Sequence, residues 1–305
     1  MPLVMKNDVS MKKPITGTFI DEITYDIPSS NWSDAQWMKE LEYMKDFGID
    51  TLIFIRGGMY HKSIFPSKVL GTLHRKDFAG MIMQKACDLN MDVFFGLYVS
   101  NLDWNNGDYL GEFKINKPLI TEVLERYGHM PCFKGWYIPQ EAPIEHLNIT
   151  ELFRIHSAEC KDQSPDKKVL ISPFFQSDFV DPQNPYSPAM TYEEWDRIFG
   201  KNKDIDICAF QDGTAPVLQM DAYYREIEKL CKKYGVALWA NVETFERDVR
   251  HAFFPISFAD LKEKIDIHQN YAEKMITFEF SHFLSPQSIY PSARNLYELY
   301  KQEYF

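Results

Sequence analysis

FKGWYIPQE, residues 133–141, runs through large apolar side chains and then stops on a carboxylate just before Ala142 and Pro143. A buried, unpaired carboxylate loses most of its hydration, so a glutamate fits here only where the apolar part of a strand ends at a mouth. The stretch reads as a strand with Glu141 at its rim. Seven other runs repeat the design: ITGTFIDE (15–22), IDTLIFIRG (49–57), DVFFGLYVS (92–100), KVLISPFF (168–175), IDICAFQD (205–212), VALWANVE (236–243) and MITFEFSH (275–282). Each is followed by a longer amphipathic stretch, the rhythm of βα units around a parallel sheet.

Eight such units in a chain of 305 residues predict a (β/α)8 TIM barrel. A doubly wound sheet usually has fewer strands and a glycine-rich first turn, whereas the turn after the first run, DEITYDIPSS, contains no glycine. With no internal linker or charge block to divide it, the chain reads as a single-domain barrel over residues 15–305 after an extension at 1–14. The first helix is the clearest. Ser33 caps it with Gln36 three residues on, Trp37, Leu41 and Met44 share one face, and Gly48 ends it. Phe78, Ile82, Ala86 and Leu89 form the stripe of the second helix, and Tyr223, Ile227, Leu230 and Cys231 that of the sixth.

Composition excludes several classes. The 33 basic and 44 acidic residues leave a net charge of -11 with no dense Lys/Arg block, which argues against a nucleic-acid partner. No uninterrupted apolar segment is long enough to span a bilayer, so the chain reads as soluble, and as exported only if a leader preceded it. Five scattered cysteines, Cys87, Cys132, Cys160, Cys208 and Cys231, show no CxxC pair and read as buried thiols. No metal or cofactor is expected. Oligomeric state is not legible.

Barrel enzymes place their chemistry at the carboxyl ends of the strands. The residues closing the runs here are Asp21 and Glu22, Arg56, Tyr98 with Ser100 and Asn101, Gln140 and Glu141, Gln176, Gln211 and Asp212, Asn241 and Glu243, then Glu279 and His282. Glu141 ends the fourth run and Glu243 the seventh, so both carboxyls can face one bound bond, with Glu246 and Glu279 competing for the second role. Glycoside hydrolysis needs such a pair, one group protonating the leaving oxygen and the other attacking the anomeric carbon or activating water. Trp104 and Tyr109 in the third loop, NLDWNNGDYLG, with Trp32 and Tyr60, offer flat faces for sugar rings.

Glutamates closing strands four and seven resemble the acid/base and nucleophile of the large clan of retaining glycoside hydrolases. The resemblance implies Glu141 as acid/base and Glu243 as nucleophile, with Arg56 similar to the arginine that supports the nucleophile. In place of the clan's frequent Asn-Glu-Pro stands Gln140-Glu141-Ala142-Pro143, and Phe280 and His282 occupy the region of its strand-eight tryptophan. Across nearly its whole length the chain resembles an uncharacterised family of glycosidase-like barrels, on GTFIDE (17–22), IFIRGG (53–58) and GWYIPQE (135–141).

The expected partner is thus a glycoside or oligosaccharide. Its binding residues are expected to be Glu22, Arg56, Tyr98, Asn101, Trp104, Gln140, Gln176, Asp212, Asn241 and His282. Two alternatives stand beside it. One is a sugar isomerase or epimerase holding Mn²⁺ or Mg²⁺ through Glu141, Asp212, His282 and Glu279; the other is a carbohydrate-binding barrel without chemistry.

Overall fold

The computed structural model describes residues 14–24, 29–71, 77–100, 102–247 and 252–305. Asn101 and nearly all of the 1–14 extension lie outside the described residues. Eight parallel strands close into a barrel in sequence order: β1 (Ile15–Ile20), β2 (Thr51–Phe54), β3 (Asp92–Gly96), β4 (Phe133–Ile138), β5 (Lys168–Ile171), β6 (Ile207–Gln211), β7 (Ala237–Asn241) and β8 (Lys274–Thr277). The closing seam pairs Ile15 with Met275 and Thr18 with Thr277. Around it run α1 (Asp34–Phe47), α2 (Phe78–Asp88), α3 (Tyr109–Tyr127), α4 (Ile149–Gln163), α5 (Pro188–Lys201), α6 (Val217–Tyr234), α7 (Phe258–His268) and α8 (Pro291–Tyr304).

Strand side chains alternate between two apolar layers, as a pleat of period two requires. Phe19, Ile53, Phe94, Tyr137, Leu170, Ile207 and Ile276 fill the barrel interior. Their neighbours Ile20, Leu52, Phe95, Trp136, Val169 and Cys208 pack outward beneath the helices. Trp136 is a core residue, its indole N–H donating to Ser164 Oγ at 2.9 Å. The helix stripes behave as the periodicity predicts. Ser33 and Gln36 form a reciprocal capping box on α1, which buries Trp37, Leu41, Met44 and Phe47 and ends on Gly48 at φ 97°, a conformation that favours glycine.

Two sequence expectations change. All eight runs hold barrel strands, but most ladders stop one to five residues before the apolar runs do, because the final residues turn out of the sheet to build the mouth. After β3, for example, Tyr98–Val99 leave the barrel and pair with Gly58–Met59 in a small three-stranded sheet. The cysteines are not all thiols either. Cys87, at the end of α2, and Cys132, just before β4, form a disulfide across Cα atoms 5.1 Å apart. Their separation of 45 residues hid this pairing, because only the tertiary fold brings the end of α2 next to the residue before β4. Cys160, Cys208 and Cys231 are free and buried.

Ser33→Ala removes one half of the capping box while leaving the buried stripe of α1 intact. Its expected cost is about 1 kcal/mol, read as a lower urea midpoint at unchanged slope.

Candidate active site

At the carboxyl ends of the strands lies a cavity of about 440 Å³. Its polar lining comes from Asp21, Arg56, Glu141, Gln211, Asn241, Glu243, Arg247 and His282; its apolar wall is Phe19, Phe245, Phe253, Phe278, Phe283 and Tyr290. Both glutamates singled out in the sequence therefore open into one space.

Glu141 inherits its direction from the pleat of β4. Tyr137 points into the barrel, and its hydroxyl donates to Glu141 Oε1 at 2.6 Å. Burial raises the Glu141 pKa, while the Tyr137 hydroxyl, the Arg56 charge and a hydrogen bond from Gln211 work in the opposite direction. Arg56 itself donates to Thr24 Oγ1 at 2.8 Å and lies 3.7 Å from Asp21.

Glu243 is held differently. Its main chain is clamped: its N–H donates to Asp212 Oδ1 at 2.9 Å, and Lys264 Nζ donates both to Asp212 Oδ1 at 2.9 Å and to the Glu243 carbonyl at 3.1 Å. The second Asp212 oxygen meets His268 Nε2 at 2.8 Å. Burial opposes the Asp212 charge, and Lys264 with His268 outweighs it, holding that carboxyl below the usual range. The Glu243 carboxyl has Arg247 at 4.0 Å and rests against Gly213, where a Cβ would come within 1.7 Å of Oε2. Burial pushes its pKa to about 7; Lys264 and Arg247 lower it, and Asp212 and Glu141 raise it.

The remaining sequence candidates divide. Arg56, Asn241 and His282 line the cavity with the two glutamates. His282 is a buried imidazole whose pKa falls to about 3, with Nε2 3.2 Å from Glu279 Oε1 and 3.3 Å from Ser29 Oγ. Glu279 is fully buried; that burial, with Asp21, Glu40 and Glu22 nearby, raises its pKa well above the ordinary value. Glu22 thus sits behind the lining rather than on it.

Gln140 points away from Glu141, as successive residues of an extended chain must. Its amide donates to Glu112 Oε2 at 2.9 Å in a buried network that also holds Ser100 and the Tyr98 backbone. Tyr98 gives its hydroxyl to the Tyr60 carbonyl, and Gln176 is buried with its carbonyl accepting from Tyr186 N–H. Neither they nor Gln140 lines the cavity. Trp104 is also elsewhere, in a helical turn (Leu102–Asn105) that Ser100 Oγ caps and that packs it against the outer core.

Asp212 is spent on Lys264, His268 and the Glu243 backbone, so the four ligands of the metal reading do not converge. Among the described residues no group of three or more His, Cys, Asp and Glu is arranged to hold an ion. Glu246 stands exposed on the hairpin formed by Phe245–Arg247 and Phe253–Pro255.

What the sequence reading missed is the aromatic wall, the Tyr137 donor and the Lys264–His268 pair. Periodicity held signals for two of these. Tyr137 lies two pleats before Glu141, and Lys264 and His268 are four apart on one face of α7.

Comparison with known proteins places this architecture. The profile of a domain of unknown function, DUF4434, matches residues 15–290. The chain belongs to the DUF4434 family. This DUF4434 protein is 37% identical to a crystal structure from Bacteroides thetaiotaomicron VPI-5482, described provisionally as an α-L-fucosidase, over 96% of both chains with a TM-score of 0.92. It shares the barrel with a xylanase from Thermoanaerobacterium saccharolyticum at 15% identity, 86% coverage of each chain and a TM-score of 0.53. A β-galactosidase from Marinomonas ef1 aligns at 10% identity over 95% of this chain and 59% of its own, with a TM-score of 0.60. These last two likenesses concern the fold alone. A comparison with curated proteins finds no match. No described helix is long and apolar enough to cross a membrane.

The raised Glu243 pKa carries a stability consequence. Between the unfolded value of 4.5 and the folded value of about 7 the native state binds more protons, so stability falls as pH rises through that window. Glu243→Gln is expected to remove this contribution, making the variant more stable than wild type above pH 7 by up to about 3 kcal/mol, with no gain at pH 4. Urea melts at the two pH values measure it.

Proposed function

We propose that this protein is a glycoside hydrolase of the retaining type, with Glu141 and Glu243 as its catalytic pair. The observation that carries the reading is that both carboxyls open into one cavity whose remaining lining joins hydrogen-bonding side chains to aromatic faces. Amides, a guanidinium and carboxylates suit a polyhydroxylated ligand, and aromatic rings suit the apolar face of a sugar. The glycosidase fold of its structural relatives supports the same reading. The provisional α-L-fucosidase description of the 37% identical protein makes α-L-fucosides the first substrates to test.

In the retaining mechanism one carboxylate attacks the anomeric carbon as the glycosidic C–O bond breaks, and the other carboxyl gives its proton to the leaving oxygen. That second group then takes a proton from water, whose oxygen displaces the first from the anomeric carbon. The clan resemblance makes Glu141 the proton donor and Glu243 the nucleophile. One observation favours the reverse division. Burial raises the pKa of both carboxyls, but at Glu141 the donors Tyr137 and Gln211 and the Arg56 charge act against it, whereas Glu243 is pushed up to about 7. Environments that separate two pKa values in this way assign the acid and the base.

A screen of chromogenic glycosides, beginning with α-L-fucosides, should find turnover that drops at least about a hundredfold in both Glu141→Ala and Glu243→Ala. Undiminished activity in either rejects the pair. Azide rescue then assigns roles: the variant lacking the nucleophile yields a glycosyl azide of inverted configuration, and the variant lacking the acid/base yields the retained one. Retained product from Glu243→Ala establishes the reverse division, and retained product from Glu141→Ala establishes the one implied by barrel position.

A further inference from the structure

A second depression of about 370 Å³ adjoins the catalytic cavity, and Glu243, Phe245 and Arg247 line both. These three residues form a common lip. A ligand spanning the two spaces would meet Glu243, Phe245 and Arg247 where they join.

The far side of the second depression is built by Phe179, on the segment after β5, and by Gly213, Ala215 and Val217 after β6. Phe179 is 61% exposed and lines this depression. The backbone that carries it is nevertheless fastened. Ser177 Oγ donates to the Thr214 carbonyl and accepts from the Phe179 N–H at 3.1 Å, while Thr214 Oγ1 accepts from the Phe175 N–H at 3.0 Å. Two adjacent loops thereby hold an apolar ring at the edge of a groove.

The polar groups of the depression have a definite sign. Lys264 is engaged by Asp212 and the Glu243 carbonyl, and among the described lining residues Arg247 stands with the acidic Glu246 and Asp260. Such a surface disfavours a second carboxylate or sulfate, since like charges at close range repel. It offers acceptors to hydroxyl groups instead.

We propose that this depression is the leaving-group subsite, and that it takes the second ring of an uncharged oligosaccharide with Phe179 as its stacking platform. The proposal rests on the hydrolase reading for the chemistry at the lip, but the subsite itself is a claim about binding. It means that the substrate extends beyond one sugar unit, with its scissile bond above the Glu243–Phe245–Arg247 lip.

The test separates the two claims by measuring binding in the Glu141→Gln background, where turnover is disabled. The probes are the tightest-binding uncharged disaccharide from a printed glycan array and the monosaccharide of its non-reducing end, compared by titration calorimetry. The disaccharide should bind more tightly than the monosaccharide. Adding Phe179→Ala should weaken the disaccharide roughly five- to tenfold and leave the monosaccharide unchanged, as expected for loss of one stacked ring. Equal weakening of both probes, no effect on either, no array binding, or tighter capture of acidic disaccharides than neutral ones would overturn the subsite. If no glycoside is turned over yet the Phe179-dependent difference is found, the hydrolase reading falls while the subsite stands.

Discussion

Closure of the parallel sheet is the constraint on which everything else depends. Once Ile15 to Thr18 of β1 pair with Met275 to Thr277 of β8, the first and last strands of the chain become neighbours and all eight carboxyl ends share one rim. Residues more than a hundred positions apart, such as Glu141 and Glu243, then meet without any local signal linking them. The closing seam also brings Asp21 and the Phe278–Glu279 segment together beside the cavity. An open sheet of the same strands would leave these groups on opposite edges.

Closure gathers carboxyls that would each cost free energy if left dry and alone, and the structure meets that cost in different ways. Asp212 is compensated by a lysine and a histidine, so it stays charged and becomes a fixed point to which the Glu243 backbone is tied. Glu141 receives hydroxyl and amide donors. Glu243 and Glu279 receive less, and burial raises the pKa of the first to about 7 and that of the second well above the ordinary carboxyl value. This follows from burial disfavouring the charged form unless an opposite charge or donor stands close by. Four strand-end acids that look alike in the sequence thus acquire unlike chemistry.

The fold was legible because its signal is local and repeated. The eight short apolar runs and the helical spacing of Trp37, Leu41 and Met44 report buried strands and an apolar helix face wherever the chain goes. Part of the site was legible for the same reason, since Glu141, Glu243, Arg56 and Asn241 close strands whose direction the pattern defines. Gln140 shows where that logic needs one further step. Strand-end position alone does not choose a face, and its pleat turns it toward Glu112 while Glu141 turns inward.

The residues that escaped sequence reading come from parts of the chain with no period to follow. Phe245, Phe253, Phe283 and Tyr290 reach the cavity from the hairpin after β7 and the segment after β8, and Trp104, which looked equally suited to a sugar, is turned onto the outer core by a capped helical turn. The pairing of Cys87 with Cys132 belongs with them. Taken alone, the sequence determined the eight strands and the acids at their ends, because apolar runs and helical stripes are written residue by residue. Only the tertiary structure decided which acids share water-poor space, which are neutralised by distant lysines and histidines, and which aromatic rings form the wall, because those outcomes depend on distances between segments that the chain's order does not encode.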